Sequence, residues 1–452
     1  MPAASEWLSG CAIDVPRLEE PMDGHILEIA GWAVGRHTRV ATIEILHQTD
    51  WLTGMPVLLV RPDVTRYLEL ADQDLLSGFQ LFVNTIGLPA TFEVSVWAYL
   101  DDGPPVEFAR VCGSKTPMRS PFRPALQPLS VTSLGRTGTT LLMQMLAEHP
   151  EIAVQKVFPF ETRLGAYWMH VLMVLSGPAN HYNSSHPDRF QSERLFVGSN
   201  PYAQFGGPIG PALRSWLSVD APEELAAFCQ RNIDAAYLRL ARDQGGVPGR
   251  FFAEKNVPTY APRLLAQLYQ GAKEIILVRD FRDMICSMLA FDWKRQQRNF
   301  QRDDFDLEAF TIRIVDDFRR LEATWLERRD LALLLRYEDL ITDPHASMRQ
   351  VADYAGIDAS PDVIERMVES GRRDDETIRA HRTTDNGPRS VGRHRYDMNE
   401  DLRGFCLEIG ADLLARLGYD TDDAPARPSA ASPERHTERV IRTAPHLSAS
   451  DR

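Results

Sequence analysis

Ser133-Leu-Gly-Arg-Thr-Gly-Thr-Thr140 decides how this chain is read. It stands between Leu129-Ser-Val-Thr132, apolar enough for a buried strand, and Thr139 to Glu148, where Leu141, Leu142, Met145 and Leu146 recur at helical spacing before His149-Pro150. A strand, a glycine turn and a helix in that order make an anion site. The unpaired N–H groups of the first helical turn and the helix dipole attract negative charge, and Gly135 and Gly138 let the backbone approach closely. A nucleotide-hydrolysing P-loop would read Gly-x-x-x-x-Gly-Lys-[Ser/Thr], with the lysine on the outer phosphates and the hydroxyl on magnesium. Here Thr139 follows Gly138, and Arg136 is the only cation in the loop. The stretch points to a phosphoanhydride other than ATP, although alone it also reads as an ordinary strand-to-helix connection.

A second motif is Lys273-Glu-Ile-Ile-Leu-Val-Arg-Asp-Phe-Arg-Asp-Met-Ile-Cys-Ser-Met288. Glu274 to Val278 is the near-continuous apolar strand of a parallel sheet, and Met284 to Phe291 reads as helix. Arg279 then falls at the carboxyl end of a strand and Ser287 about a turn into the following helix, both facing the crevice where open α/β sheets bind ligands. A guanidinium fork and a hydroxyl suit a terminal phosphate. The plainer reading pairs Arg279 with Asp280 or Asp283 and packs Ser287 inside a helix.

Together the two motifs resemble the sulfotransferases that use 3'-phosphoadenosine 5'-phosphosulfate. Their Arg/Lys-[Ser/Thr]-Gly-[Thr/Ser]-Thr loop is matched by Arg136-Thr-Gly-Thr-Thr140, and their Arg with a Ser eight positions later by Arg279 and Ser287. Glu254-Lys-Asn-Val-Pro258, Leu335-Arg-Tyr-Glu-Asp-Leu340 and Pro388-Arg-Ser-Val-Gly-Arg393 resemble three further family segments, in the family's order, between about Pro128 and Tyr419. The resemblance implies that Thr137, Gly138, Thr139 and Thr140 take the 5'-phosphate and sulfate. It implies that Arg279 and Ser287 take the 3'-phosphate, that Arg389, Gly392 and Arg393 close over it, and that Tyr337 stacks on the adenine. Arg136 and Lys255 would stabilise charge on the leaving oxygen, because sulfuryl transfer, like phosphoryl transfer, relies on positioning and electrostatics. Phe160-Glu-Thr-Arg163 resembles the segment carrying the catalytic glutamate in tyrosylprotein and some carbohydrate sulfotransferases, so Glu161 is the candidate base. The plainer reading is a surface glutamate paired with Arg163. His170 and His181, the nearest downstream histidines, fit no such pattern. No metal is expected, since the twelve histidines and five cysteines show no ligand spacing.

The net charge of -13 argues against broad nucleic-acid binding, while a local cationic pocket inside an acidic envelope stays compatible with a polyanionic nucleotide. Met1 to Gly10 has no signal-peptide pattern, and the most apolar stretch, Ala166 to Leu175, is half of what spans a bilayer. No transmembrane segment is expected. Five scattered cysteines favour reduced thiols and a cytoplasmic location.

Before the loop the pattern changes. Apolar strands are expected at Ile26 to Val34, Val40 to Leu46, Val57 to Val60, Phe79 to Val83 and Phe92 to Leu100, the last alternating Phe92, Val94, Val96 and Ala98 against Glu93, Ser95, Trp97 and Tyr99. This predicts a small β-sandwich. It resembles immunoglobulin-like modules attached to bacterial sugar-modifying transferases, through Gly31-Trp-Ala-Val-Gly35, Arg61-Pro-Asp63 and Gly78-Phe79. The expected organisation is a β-sandwich over 11–113, a linker over 114–127, a sulfotransferase domain over 128–420 with a parallel sheet covered by helices on both faces, and a disordered tail over 421–452. Leu164 to Gly210 reads as an acceptor-side insertion or lid. The expected activity is sulfuryl transfer to a hydroxyl of a carbohydrate, glycolipid or secondary metabolite. The alternatives are a P-loop kinase, which would need magnesium and ATP, and a non-catalytic scaffold of the same fold. Oligomeric state stays open.

Overall fold

The computed structural model describes residues 4–16, 24–48, 50–72, 74–177, 211–246, 249–296, 300, 305–373, 376–384 and 387–421. His181, most of the expected lid (178–210) and nearly all of the expected tail (422–452) lie outside the described residues. The chain divides into two compact units. One comprises Met1–Pro124, Leu164–Ala235 and Arg263–Gln270, the other Ala125–Arg163, Ala236–Pro262 and Gly271–Arg452.

The first unit contains eight strands among the described residues: β1 (Leu8–Val15), β2 (Ile26–Gly35), β3 (Val40–His47), β4 (Asp50–Pro56), β5 (Leu59–Val60), β6 (Leu76–Asn84), β7 (Thr91–Leu100) and β8 (Val106–Ser114). They form two antiparallel sheets, ordered β1-β2-β6-β5 and β4-β3-β7-β8. The inner faces meet in one core, with Ile29, Leu81 and Val83 from the first sheet and Ile43, Val94 and Val96 from the second all fully buried. In β7 the expected alternation holds: Phe92, Val94, Val96 and Ala98 are buried while Glu93 is exposed. Gly31 marks a close approach, since a Cβ there would stand 2.2 Å from the Ala12 carbonyl oxygen on β1.

One local expectation needs correcting. The strand expected at Val57 to Val60 forms only at Leu59–Val60, and the stronger strand is Asp50–Pro56, whose Gly54 and Pro56 hide it from a propensity reading. Pairing with β3 compensates, setting Met55 opposite Ile43 and Thr53 opposite Ile45 so that both are buried. Pro62 of Arg61-Pro-Asp63 opens the helix Pro62–Tyr67, where its missing N–H costs nothing, and Arg61 pairs with Asp14 and Asp63 at 2.7 and 2.6 Å. Residues 115–126 carry neither helix nor strand.

The second unit contains β9 (Gln127–Thr132), β10 (Ile152–Ala153), β11 (Phe251–Asn256), β12 (Lys273–Val278) and β13 (Ala332–Arg336), all parallel and ordered β10-β11-β9-β12-β13. Successive residues of β12 serve opposite faces, as strand geometry requires. Ile275 and Leu277 join a cluster with the helices Thr139–Leu146, Pro344–Ala355 and Pro361–Arg372. Ile276 and Val278 join another with the helices Phe281–Arg295, Leu307–Arg328 and Glu400–Arg416. Both faces are therefore covered, which is why β12 reads as an unbroken apolar run from Ile275 to Val278. With both faces closed, polar side chains gather just beyond the strand ends. The first strand of this unit, β9, lies between β11 and β12, so the chain leaves it in both directions and opens a crevice at its carboxyl end.

Among the described residues, no helix is long and apolar enough to cross a membrane, and no three His, Cys, Asp or Glu side chains gather as a metal-binding group. The five cysteines are free thiols.

Candidate active site

Four adjacent strands deliver the site. The loop Ser133–Thr140 leaves β9, Lys255 is the penultimate residue of β11, Arg279 directly follows β12, and Tyr337 directly follows β13. All of these residues belong to the second unit.

The loop is fixed from inside. Ser133 N donates to the Asn256 carbonyl at 2.9 Å, Ser133 Oγ to the Leu277 carbonyl at 2.6 Å, and Thr137 Oγ1 to the Leu134 carbonyl at 2.8 Å. The turn needs two left-handed residues, Arg136 at φ 67° and Gly138 at φ 91°. Gly138 is required twice over, because a Cβ there would also lie 2.3 Å from Tyr337 Cδ2. Gly135 has no such demand: its nearest neighbour, Phe300, is at ordinary contact distance. Gly138 caps the helix Thr139–Leu146, so Thr139 and Thr140 present their N–H groups in its first turn.

At one end of the loop Lys255 Nζ donates to Thr140 Oγ1 at 3.3 Å and lies 3.3 Å from Glu161 Oε2. Burial lowers the Lys255 pKa, while Glu161 partly offsets the effect. Glu161 also receives Arg163 Nη2 on Oε1 at 3.3 Å, so it is paired with Arg163 and with Lys255 together. Its Oε2 is buried, with the Lys255 ammonium as its ion-pair partner inside the site. The segment around it is strained, with Phe160 at φ 61° and Arg163 at φ 55°. It is also anchored: Thr162 Oγ1 shares a hydrogen bond with Tyr237 OH, which donates to Glu254 on β11. Glu254 and Lys255 point to opposite faces of the strand, one bracing the Glu161 segment from below and the other reaching the loop.

At the other end Arg136 Nε donates to Ser287 Oγ at 3.2 Å, and its guanidinium lies 4.5 Å from the Phe291 ring centroid. Arg279 is buried, stacks 4.4 Å from the Tyr337 ring centroid, and donates to the carbonyls of Arg136 at 2.9 Å and Ser390 at 2.7 Å. Its Nε is buried without a hydrogen-bond acceptor among the described residues. The plainer pairing of Arg279 is not what forms. Asp280 caps the helix Phe281–Arg295 and pairs with Arg282 at 2.7 Å, and Asp283 accepts from Gly392 N at 2.7 Å, His394 N at 2.8 Å and His394 Nδ1 at 2.7 Å. Burial pushes the Asp283 pKa up, but the His394 bonds and nearby Arg279 leave it lowered overall. Arg136 is pulled down to about 10, by burial first and then by Arg279, and stays charged at neutral pH.

The remaining expected residues divide. Tyr337 is a brace, its ring between Gly138 and Arg279 and its OH 2.7 Å from Ser390 Oγ. Arg393 is buried and bonded to Asp397 at 2.6 Å and to Thr383 at 3.0 Å. Arg389 is exposed and has no hydrogen bond or ion pair among the described residues. Ser287 lies nearly two turns into its helix, which starts at Phe281, earlier than the pattern suggests. His170 is exposed on the helix Leu164–Ser176 of the first unit. Sequence reasoning missed His381, Thr383, Tyr237 and the clamping role of Asp283. Only Asp283 carries a signal, since it precedes Ser287 by four residues and so shares its helix face.

The sulfotransferase family model matches residues 128–361, just over half of the chain. The chain belongs to the sulfotransferase family. The match spans the loop, Glu161, Lys255, Arg279, Ser287 and Tyr337, and stops before Arg389. Carbohydrate sulfotransferase 1 from Rattus norvegicus is 28% identical over 159 residues, which cover 32% of this chain and 38% of that protein. Nodulation protein NoeE from Sinorhizobium fredii is 23% identical over 329 residues, covering 65% and 66%. The chain thus spans less than two thirds of either relative. A sulfotransferase domain from the curacin biosynthetic pathway is 13% identical with a TM-score of 0.38, over 66% of this chain and 99% of that one.

Proposed function

We propose that this sulfotransferase takes its sulfuryl group from 3'-phosphoadenosine 5'-phosphosulfate and passes it to a hydroxyl of a carbohydrate, glycolipid or secondary metabolite. One observation carries the donor reading. Arg136 and Arg279 converge on the carboxyl ends of β9 and β12, and among the described residues both are bonded to neutral acceptors alone. Inward-facing charges are normally paired, because leaving them unpaired costs several kcal/mol. Two guanidinium groups left to carbonyls, a hydroxyl and a ring nitrogen, with the Arg279 Nε–H unused, await an anion.

In this reading the N–H groups and hydroxyls of Thr137 to Thr140 hold the 5'-phosphosulfate end, with Lys255 beside them. Arg279 and Ser287 hold the 3'-phosphate, the segment Arg389 to Arg393 covers it, and Arg136 stabilises charge on the leaving oxygen together with Lys255. Glu161 takes the proton of the acceptor hydroxyl as its oxygen bonds to sulfur. The sulfur–oxygen bond to the donor breaks in the same displacement, and adenosine 3',5'-bisphosphate leaves. Lys255 has two tasks, offsetting charge at the transferring group and holding the Glu161 carboxylate toward the loop. A saccharide acceptor is supported by the likeness to carbohydrate sulfotransferase 1. A cytoplasmic location is supported by the unpaired cysteines.

Thermal unfolding with added nucleotide tests the donor. Adenosine 3',5'-bisphosphate at 100 times its Kd should add about 2.7 kcal/mol to stability. Stabilisation by magnesium-ATP with none from the bisphosphate would overturn the reading.

A further inference from the structure

Glu161 lies between two anchored residues. On one side Phe160 packs in the core of its unit and meets the Phe158 ring edge-on, centroids 6.4 Å apart. On the other, Thr162 Oγ1 lies 2.5 Å from the hydroxyl of Tyr237, which donates to Glu254. A phenol has a single proton, so with that proton on Glu254 its oxygen must accept from Thr162. Tyr237 has little freedom of its own. It comes from the helix Ala221–Asp243, is fully buried, and stacks on Phe252 with centroids 4.5 Å apart and planes 18° from parallel. Phe252 and Glu254 stand two residues apart on β11 and so face the same side of the strand. Ring and hydroxyl are thus both fixed by one strand, and Lys255, the next residue of that strand, meets the Glu161 carboxylate at 3.3 Å.

We propose that Tyr237 is a positioning residue that, through Thr162, holds the Glu161 carboxylate inside the site and so sets the rate of proton removal from the acceptor. The proposal rests on the reading of Glu161 as the base. The carboxylate is shared between two cations, each at 3.3 Å: Lys255, whose side chain is 12% exposed, and Arg163, whose side chain is 69% exposed. One draws it inward and the other toward solvent. The backbone decides between them, and it is held in an unfavourable shape, with Phe160 at φ 61° and Arg163 at φ 55°. Such conformations persist where the surroundings over-determine them. Phe160 and Thr162 tie the segment down on either side of Glu161, and the Thr162 tie ends on Tyr237. Freed there, the segment relaxes and the carboxylate follows Arg163 outward. The loop Ser133–Thr140 is unaffected, because its own bonds run to the carbonyls of Asn256, Leu277 and Leu134.

The full chain as wild type, Tyr237→Phe, Glu161→Gln and the double variant tests this with two measurements. One is the initial rate of labelled sulfuryl transfer from saturating 3'-phosphoadenosine 5'-phosphosulfate into a fractionated extract of the native host. The other is the Kd of adenosine 3',5'-bisphosphate. Phenylalanine keeps the stack on Phe252 and removes only the hydroxyl. Tyr237→Phe should lower the rate about tenfold with the Kd unchanged, because a misplaced reacting group slows transfer without loosening the nucleotide. In the Glu161→Gln background the same change should lower it no further, since residues that act through one group are not additive. An unchanged rate in Tyr237→Phe, the same loss repeated in the Glu161→Gln background, or a Kd weakened in step with the rate would overturn the proposal. Thr162 gives a second route if Tyr237→Phe does not fold. Thr162→Val should match that loss and Thr162→Ser, which keeps the hydroxyl, should retain the wild-type rate; equal rates in the two refute the relay. Full transfer by Glu161→Gln sinks the base reading and the proposal with it, whereas loss there with none in Tyr237→Phe sinks the role of Tyr237 alone.

Discussion

The two sheet systems of this chain handle charge in opposite ways. In the β-sandwich, residues alternate between core and surface, and the ion pairs stand outside: Arg39 with Asp101 and Arg110 with Glu93 are about half exposed on both sides. Such pairs contribute little, about 0–1 kcal/mol each. In the parallel sheet both faces are covered, and charge is concentrated at and just beyond the strand ends, where Lys255, Arg279 and the loop cation meet. An alternating sheet sheds its polar residues across a broad surface, whereas a doubly covered one confines them toward the ends of its strands, Glu274 with Arg328 at the amino end of β12 and Arg279 just past its carboxyl end. That difference is why the candidate site falls in the second unit.

The contrast can be broken or sharpened by substitution. The largest effect is expected from Gly138→Ala, which combines a left-handed backbone with a collision against Tyr337. Each cause costs about 1–3 kcal/mol, so calorimetry should show a lower Tm and titration no bisphosphate binding. Normal binding would mean that the loop is not the cradle. Next in size, Glu161→Gln should cut turnover by ~10²-fold or more while leaving the Kd for bisphosphate unchanged. It is measured by labelled sulfuryl transfer into a fractionated extract of the native host. Unaltered turnover would remove the carboxylate from the reaction. The smallest effect lies in the sandwich unit. Lys115 is buried there with the Ile86 carbonyl at 2.8 Å, and burial followed by Arg263 lowers its pKa to about 7. The unfolded chain then binds more protons than the folded one between pH 7 and the ordinary lysine value of 10.5, so stability rises with pH across that window. Lys115→Met should flatten the rise and lift Tm at pH 7 by a few degrees. Loss of nucleotide binding in this variant would break the comparison, by tying the sandwich unit to the site.

Much of the site was legible because it depends on neighbours in sequence. The eight-residue step from Arg279 to Ser287 runs from a strand end to the face of the next helix, and the loop is a strand-turn-helix of one piece. The alternation in β7 was legible for the same reason. What escaped depends on closure over long distances. His381 meets Arg136 across 245 positions, and its pKa is lowered first by burial and then by cations on other elements. Tyr337 invites an aromatic role with the ligand, yet its ring is committed to Gly138 and Arg279, a packing that no local pattern encodes. Strand β4 was hidden by its own Gly54 and Pro56, which cross-strand pairing with β3 overrides.

Asp283 has a consequence for how this protein can change over time. By accepting from Gly392 and His394 it staples the closing segment to the helix that bears Ser287, although 109 and 111 positions separate the partners. Together with the bonds of Arg279 and Tyr337 to Ser390, this carboxylate sets the spacing of the two halves of the candidate site, so insertions in the intervening surface loops need not alter it. Lineages that keep this aspartate have room to remodel the parts of that stretch that lie away from Ser287 and Tyr337.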